Sequence, residues 1–149
     1  MSFDDDVFLG RAVERLSTLI ADQSKAVFDA AGLFIPVRSC SLMIVLAKLG
    51  TASASDLARE LDHSHQLVLQ KIPKLIRLGL IEQSHDDDDA RRRLFRITDL
   101  GASQLQTFER CAERIVTAYR GLFEEVGDIR RLVDRTVAAL KDKPLDERT

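Results

Sequence analysis

The 149-residue sequence predicts a mainly α fold with a small β-hairpin wing, a winged helix-turn-helix carried between N- and C-terminal helices. Three observations predict it. Two short helical segments, Asp56 to Leu61 and Ser64 to about Leu78, are separated only by Asp62 and His63, the tight joint of a helix-turn-helix. Two strand-like runs, Leu80 to Ser84 and Arg92 to Ile97, follow at once around a polar turn, Asp86-Asp87-Asp88-Asp89. Apolar stripes at helical spacing open and close the chain.

The front helix is read from about Asp5 to Ala31. Phe8, Leu9, Ala12, Val13, Leu16, Leu19, Ile20, Val27 and Ala30 fall on one side of it, and Gly32 ends it. Pro36 suits the first turn of a second helix, Val37 to Leu49, closed by Gly50. Ser55 is read as the N-cap of the third helix and Ser64 as that of the fourth, which stops at Gly79. Leu67, Ile72, Leu75 and Ile76 are read as the core face of the fourth helix. Pro73 lies inside it, where a missing amide and a clash with the carbonyl four residues back predict a kink between Leu69 and Pro73. Thr98 caps a long fifth helix with Leu105, Phe108, Ala112, Ile115, Val116, Tyr119 and Leu122 on one face. Gly127 separates it from a last helix bearing Ile129, Leu132, Val133, Val137 and Leu140. One domain over 1–149 is expected: a helical frame (1–50 and 98–142), a lobe (51–97) and a frayed tail (143–149).

Composition bounds the function. A hydrophobic fraction of 45% and a charged fraction of 31% describe an ordinary globular chain. The 22 basic and 24 acidic residues leave a formal charge of −2, which excludes a general polyanion sponge but not a local basic face. The acidic start, Met1-Ser2-Phe3-Asp4-Asp5-Asp6, is unlike a secretory signal, and no apolar run spans a membrane. Two cysteines, Cys40 and Cys111, make no disulfide framework, so a cytoplasmic setting is expected.

The segment from Ser55 to Gly101 carries a specific resemblance. "SDLARELDHS" looks like a third helix and turn, "LIRLGLIEQ" like the end of a recognition helix entering a wing, and "DDDDARRRLFRITDLG" like that wing and the step into a fifth helix. Asp86, Asp89 and Arg91 fit a wing spacing Asp-x-x-Asp-x-Arg, and Thr98 and Gly101 fit a Thr-x-x-Gly step. In these features the chain resembles the multiple-antibiotic-resistance regulator (MarR) family. The resemblance implies a homodimer whose first, fifth and sixth helices interlock. It also implies recognition helices in adjacent major grooves, and transcriptional repression that in many members a small-molecule effector relieves. The chain departs from the family pattern at Asp88 and Ala90, where arginines are common, at Pro73, and at His65 and Gln66, which leave the start of the recognition helix without a cation.

A reader of double-stranded DNA needs cations for phosphates and polar groups for base edges. Ser64, His65, Gln66 and Gln70 supply the second at the front of the fourth helix, and Lys71 and Lys74 the first, with no acid between Ser64 and Leu78. Arg91, Arg92 and Arg93 form a second basic cluster on the wing. Asp86 and Asp89 are read as shaping the wing, with Arg91 tied to one of them and Arg92 or Arg93 left for DNA. Against this, Ser55 to Leu100 holds eight basic and nine acidic residues, so the lobe is slightly negative. That acidity, with Pro73, motivates a rival reading: a winged-helix dimer that has lost DNA binding and docks a protein partner.

Other chemistries find little footing. His63, His65 and His85 lack closed-site metal spacing, and the aspartate run lacks the central Gly and terminal Glu of a calcium loop. No nucleophile–base constellation or phosphate-cradling Gly loop is present, so neither an enzyme, a metal nor a cofactor is expected. Cys40 and Cys111 read as packing residues rather than redox sensors.

Overall fold

The computed structural model describes residues 1–149, and no helix in it is long and apolar enough to cross a membrane. The chain divides into two compact units, Met1–Cys111 and Ala112–Thr149.

The first unit holds α1 (Leu9–Ala30), α2 (Cys40–Leu49), β1 (Thr51–Ala52), α3 (Ala54–Leu61), α4 (His65–Arg77), β2 (Ile81–His85), β3 (Arg93–Ile97) and the start of α5 (Asp99–Val126). Short 3-10 turns, Asp6–Phe8 and Val37–Ser39, lead into α1 and α2 where longer helices are predicted. The three strands form one antiparallel sheet in the order β1-β3-β2. Its register sets Phe95 opposite Gln83 on one side and Ala52 on the other. The two-residue β1 goes unseen in the sequence, because nothing so short shows a period of two.

The core gathers where α2, α3, α4 and the sheet meet. Leu42, Met43, Leu46, Leu57, Val68, Leu75 and Leu80 are fully buried. On α4 the inward stripe is Val68, Ile72 and Leu75, while Leu67 and Ile76, expected inside, are each 38% exposed. Val68, Ile72 and Leu75 follow the i, i+4, i+7 rule, and Leu67 and Ile76 fall just off that line.

Two joints fix the lobe. The cap of α3 is Ser53, not Ser55. Ser53 has an extended backbone, its Oγ accepts from the Asp56 amide at 3.1 Å, and Asp56 accepts from the Ser53 amide at 3.0 Å, a complete capping box. At the other joint Thr98 donates to the Gly79 carbonyl, accepts from the Gly101 amide at 3.0 Å, and so caps α5 as expected. The backbones then come so close that a Cβ on Gly101 would lie 2.1 Å from the Leu80 carbonyl oxygen.

The second unit contains the rest of α5 and α6 (Ile129–Asp142), joined through Gly127 at φ 96° and capped by Asp128, which accepts from the Arg131 amide. Tyr119 and Phe123 stack with ring centres 6.1 Å apart. No residue of α6 is buried. The tail, expected to fray, turns back instead. After Pro144 comes a 3-10 turn, Leu145–Glu147, and the Arg148 guanidinium donates to the carbonyls of Ala139 at 2.6 Å and Lys143 at 2.8 Å. Both are carbonyls at the end of the helix, and Ala139 also accepts from the Lys143 amide at 3.0 Å, so the guanidinium adds a second donor to an end that a cation caps well.

Gly101→Ala is expected to lower unfolding stability by about 3 kcal/mol, because the added carbon meets backbone rather than a side chain able to move. Chemical denaturation at matched pH checks it; a loss no larger than an exposed helical Gly→Ala change would contradict the close approach.

Candidate nucleic-acid interface

The turn between α3 and α4 is built for a sharp reversal. Asp62 takes a left-handed conformation at φ 53°, and the His63 amide bonds the Ala58 carbonyl at 3.0 Å. Asp is among the few residues besides Gly that adopt this conformation at low cost. Ser64 then caps α4, its Oγ accepting from the Leu67 amide at 3.1 Å. With Val68, Ile72 and Leu75 inward, the outward side carries His65, Gln66, Leu69, Gln70, Pro73, Lys74 and Arg77, all exposed. The helix continues through Pro73 to Arg77.

Lys71 points elsewhere. Its Nζ donates to the Arg38 carbonyl at 2.6 Å, pinning α4 to the start of α2, and burial and then the nearby Arg38 charge hold its pKa below the usual lysine value. Arg38 in turn reaches Thr18 on α1 at 3.1 Å. His63 is also drawn into this joint. Burial, then the Lys71 charge, lowers its pKa, and its buried Nδ1 has no hydrogen-bond partner.

The wing turn is shaped by aspartates acting on amides. Asp86 accepts from the Asp88 amide and Asp89 from the Arg91 amide, each at 2.9 Å, and the Asp89 carbonyl accepts from the Arg92 amide at 3.0 Å. The arginines divide differently from the expectation. Arg92 is the tied one: its guanidinium lies 2.6 Å from Asp56 on α3 and 3.9 Å from Asp86. The Arg91 side chain is exposed and makes no ion pair. Arg93 lies over the Phe95 ring, 5.7 Å from its centre, and donates to Gln83 at 3.4 Å. Arg96 pairs across the strands with Glu82 at 2.7 Å.

Asp56 is the residue that sequence reasoning missed. It completes the α3 cap, bonds Arg59 at 2.7 Å and holds Arg92. The Ser53 backbone amide first, then the Ser53 hydroxyl and Arg92, pull its pKa below 3.8 against a smaller opposing effect of burial. The pattern Ser-x-x-Asp was available as a cap signal. The contact 36 residues away was not. Between wing and helix starts lies a cleft of about 410 Å³ with Asp56, His65, Leu69, Arg91, Arg92 and Phe95 among its walls.

The remaining candidates lie apart. His63 is in the turn, His65 opens α4 and His85 ends β2. Cys40 and Cys111 are both buried, and burial, reinforced by the neighbouring Cys111, pushes the Cys40 thiol up to about 12, far from the thiolate a sensor uses.

A capped outward helix, a tight turn before it and a hairpin after it define a winged helix-turn-helix. The MarR family model matches residues 35–92, from Ile35 at the entry to α2 through Arg92 on the wing. Solved structures share the fold across nearly the whole chain. A cysteine-to-serine mutant of MarR from E. coli, complexed with operator DNA, superposes with TM-score 0.68 at 14% identity over 97% of this chain and 99% of that one. Reduced AbfR bound to DNA gives 0.62 at 21% identity over 91% and 93%. A probable transcriptional regulator from Pseudomonas aeruginosa gives 0.63 at 20% identity over 91% and 96%. No curated protein matches the sequence.

The Asp56 carboxylate ties pH to stability. A depressed carboxyl pKa stabilises the fold fully above the unfolded value of 3.8, and that contribution is lost as pH falls through the lower folded value. The melting temperature of Asp56→Asn should therefore fall less steeply than that of the unaltered chain through this acid window. Parallel melting curves in the two proteins would show that the carboxylate does not act in this way.

Proposed function

We propose that the chain is a sequence-specific, double-stranded-DNA-binding transcriptional regulator that acts as a homodimer in the cytoplasm. The observation that carries this reading is the outward face of α4. It is capped at its front, holds Gln66 and Gln70 one turn apart, ends in Lys74 and Arg77, contains no acid, and stands beside a wing bearing an unpaired Arg91. Polar groups at a helix front suit base edges, and the cations behind suit phosphates. The likeness to proteins solved with DNA, reported above, supports the same reading. Ligand-relieved repression, the mode implied by the family resemblance, is the regulatory form proposed.

Within this reading Ser64, His65, Gln66 and Gln70 face the bases, while Lys74, Arg91 and Arg93 face phosphates. Lys71 and Arg92 hold the lobe together, since each already has a partner in the chain. Asp86 and Asp89 set the wing turn.

The dimer is supported by what single chains leave uncovered. Leu9, Val13, Leu16 and Leu19 along α1 are exposed, as are Leu132, Val133, Val137 and Leu140 along α6. Amphipathic helices with an exposed apolar stripe gain stability by covering it. Light scattering at micromolar concentration should give twice the 16.7 kDa chain mass, and Val133→Asp should reduce it toward one chain. A wild-type monomer at that concentration refutes the dimer.

Fluorescence anisotropy with the gene's own upstream duplex, a scrambled duplex and a genomic pool, across a salt series, tests the DNA reading. Sequence-selective affinity that falls with salt is expected, and Arg91→Ala should lower the salt slope by about one. Asp88→Arg should tighten binding to all duplexes by adding attraction at the tip. The exposed carboxylates of Asp87 and Asp88 at that tip favour the second reading, a module that docks a basic protein partner. Absence of binding to any duplex, pool included, selects it.

A further inference from the structure

The outward face of α4 is not uniformly polar. Leu69 is 43% exposed, and Pro73, one turn further on, is exposed beside it. At i and i+4 the two side chains meet and form one apolar spot. Gln66 lies one turn before Leu69, and Gln70 follows it directly, both exposed. Leu69 also lines the cleft whose far wall carries Arg91 and Arg92.

Neither residue belongs to the buried stripe of α4. The core stripe of α4 is Val68, Ile72 and Leu75, each 3% exposed or less. Helix formation argues against Pro73, which offers no amide to the Leu69 carbonyl. Leu69 stands next to Gln70 in the second turn, which the proposed function turns toward base edges, and Pro73 follows one turn later beside Lys74.

The major groove presents one apolar group, the 5-methyl of thymine. This inference rests on the DNA-binding reading and deepens it. We infer that Leu69, backed by the Pro73 ring, packs on thymine 5-methyl groups, so that each half-site carries thymine beneath the second turn of α4, beside adenine read by Gln66 or Gln70. The paired selection is physical. A leucine–proline surface has no donor or acceptor, so guanine or cytosine at that step would lose water from its polar edge without replacement. Glutamine meets adenine through N6 and N7, the partner edge of the same A·T pairs.

Duplexes enriched by the full chain from a randomised pool supply the probe. Each thymine in turn is replaced by deoxyuridine, which removes the methyl and leaves every hydrogen-bonding group. One or two thymines per half-site should weaken binding about three- to five-fold on this change, the effect of withdrawing one buried carbon. Leu69→Ala should bind the parent duplex more weakly by a similar factor and be indifferent to uridine at those positions. Leu69→Met should remain sensitive. The uridine scan on the unaltered chain needs no variant, so a poorly folding Leu69→Ala does not weaken the test. Selective binding with no response to any demethylation overturns the inference and leaves the DNA reading standing. Equal uridine sensitivity in Leu69→Ala and the unaltered chain does the same. Enrichment of no sequence overturns both.

Discussion

One carboxylate organises the lobe. Asp56 accepts from the Ser53 amide, which starts α3, from Arg59 within α3, and from Arg92 on the wing. A charge at the N-terminus of a helix is favoured by the free amides there, so Asp56 sits where ionisation is easiest to maintain. From that position it fixes the distance between hairpin and helix-turn-helix. The β-strands contribute the rest of the connection, since β3 lies between β1 and β2 and carries Phe95 into the core. A wing is otherwise a two-stranded hairpin, an element with little stability of its own.

The near balance of charge in this lobe has a spatial order that a count conceals. Glu82 is matched by Arg96, Asp56 by Arg59 and Arg92, while Asp86 and Asp89 turn oxygens onto backbone amides. Acids are thereby held at the wing root and inside the turn. Asp87 and Asp88 remain exposed at the tip. The outward side of α4 has Lys74 and Arg77 without a carboxylate partner. Exposed pairs of this kind add little stability, but they decide which field a neighbouring polyanion meets.

Much of the architecture could be read from the sequence, because the relevant forces are local. Ser64 as a cap, Gly79 and Gly127 as breaks, and Thr98 with Gly101 as the step into α5 are all short-range devices. The failures share a physical origin as well. Ser53 is the exception: unlike Ser55, it has an aspartate three residues on, a capping-box signal that the sequence reading passed over. Strand β1 exists because Thr51 and Ala52 meet Arg96 and Phe95, partners more than 40 residues away. The exchange of roles between Arg91 and Arg92 turns on the conformation of the wing turn just before β3 and on the position of Asp56, which lies 36 residues away. Arg148 returns to α6 because the carbonyls at a helix end attract a cation, which a reading of the tail as merely polar overlooks.

The internal commitment of Lys71 and Arg92 has a kinetic side. Each phosphate contact on duplex DNA releases condensed ions, and that release holds a protein on any sequence, correct or not. A regulator with few uncommitted cations lingers little on the vast excess of competing sites. The residence of such a regulator on the genome is then governed by the small patch that distinguishes bases, and short dwell at wrong sites leaves more free protein to find the right one. On the proposed DNA-binding role, tethering two cations inside the lobe would make it a light-footed searcher, whose occupancy depends on discrimination rather than on grip.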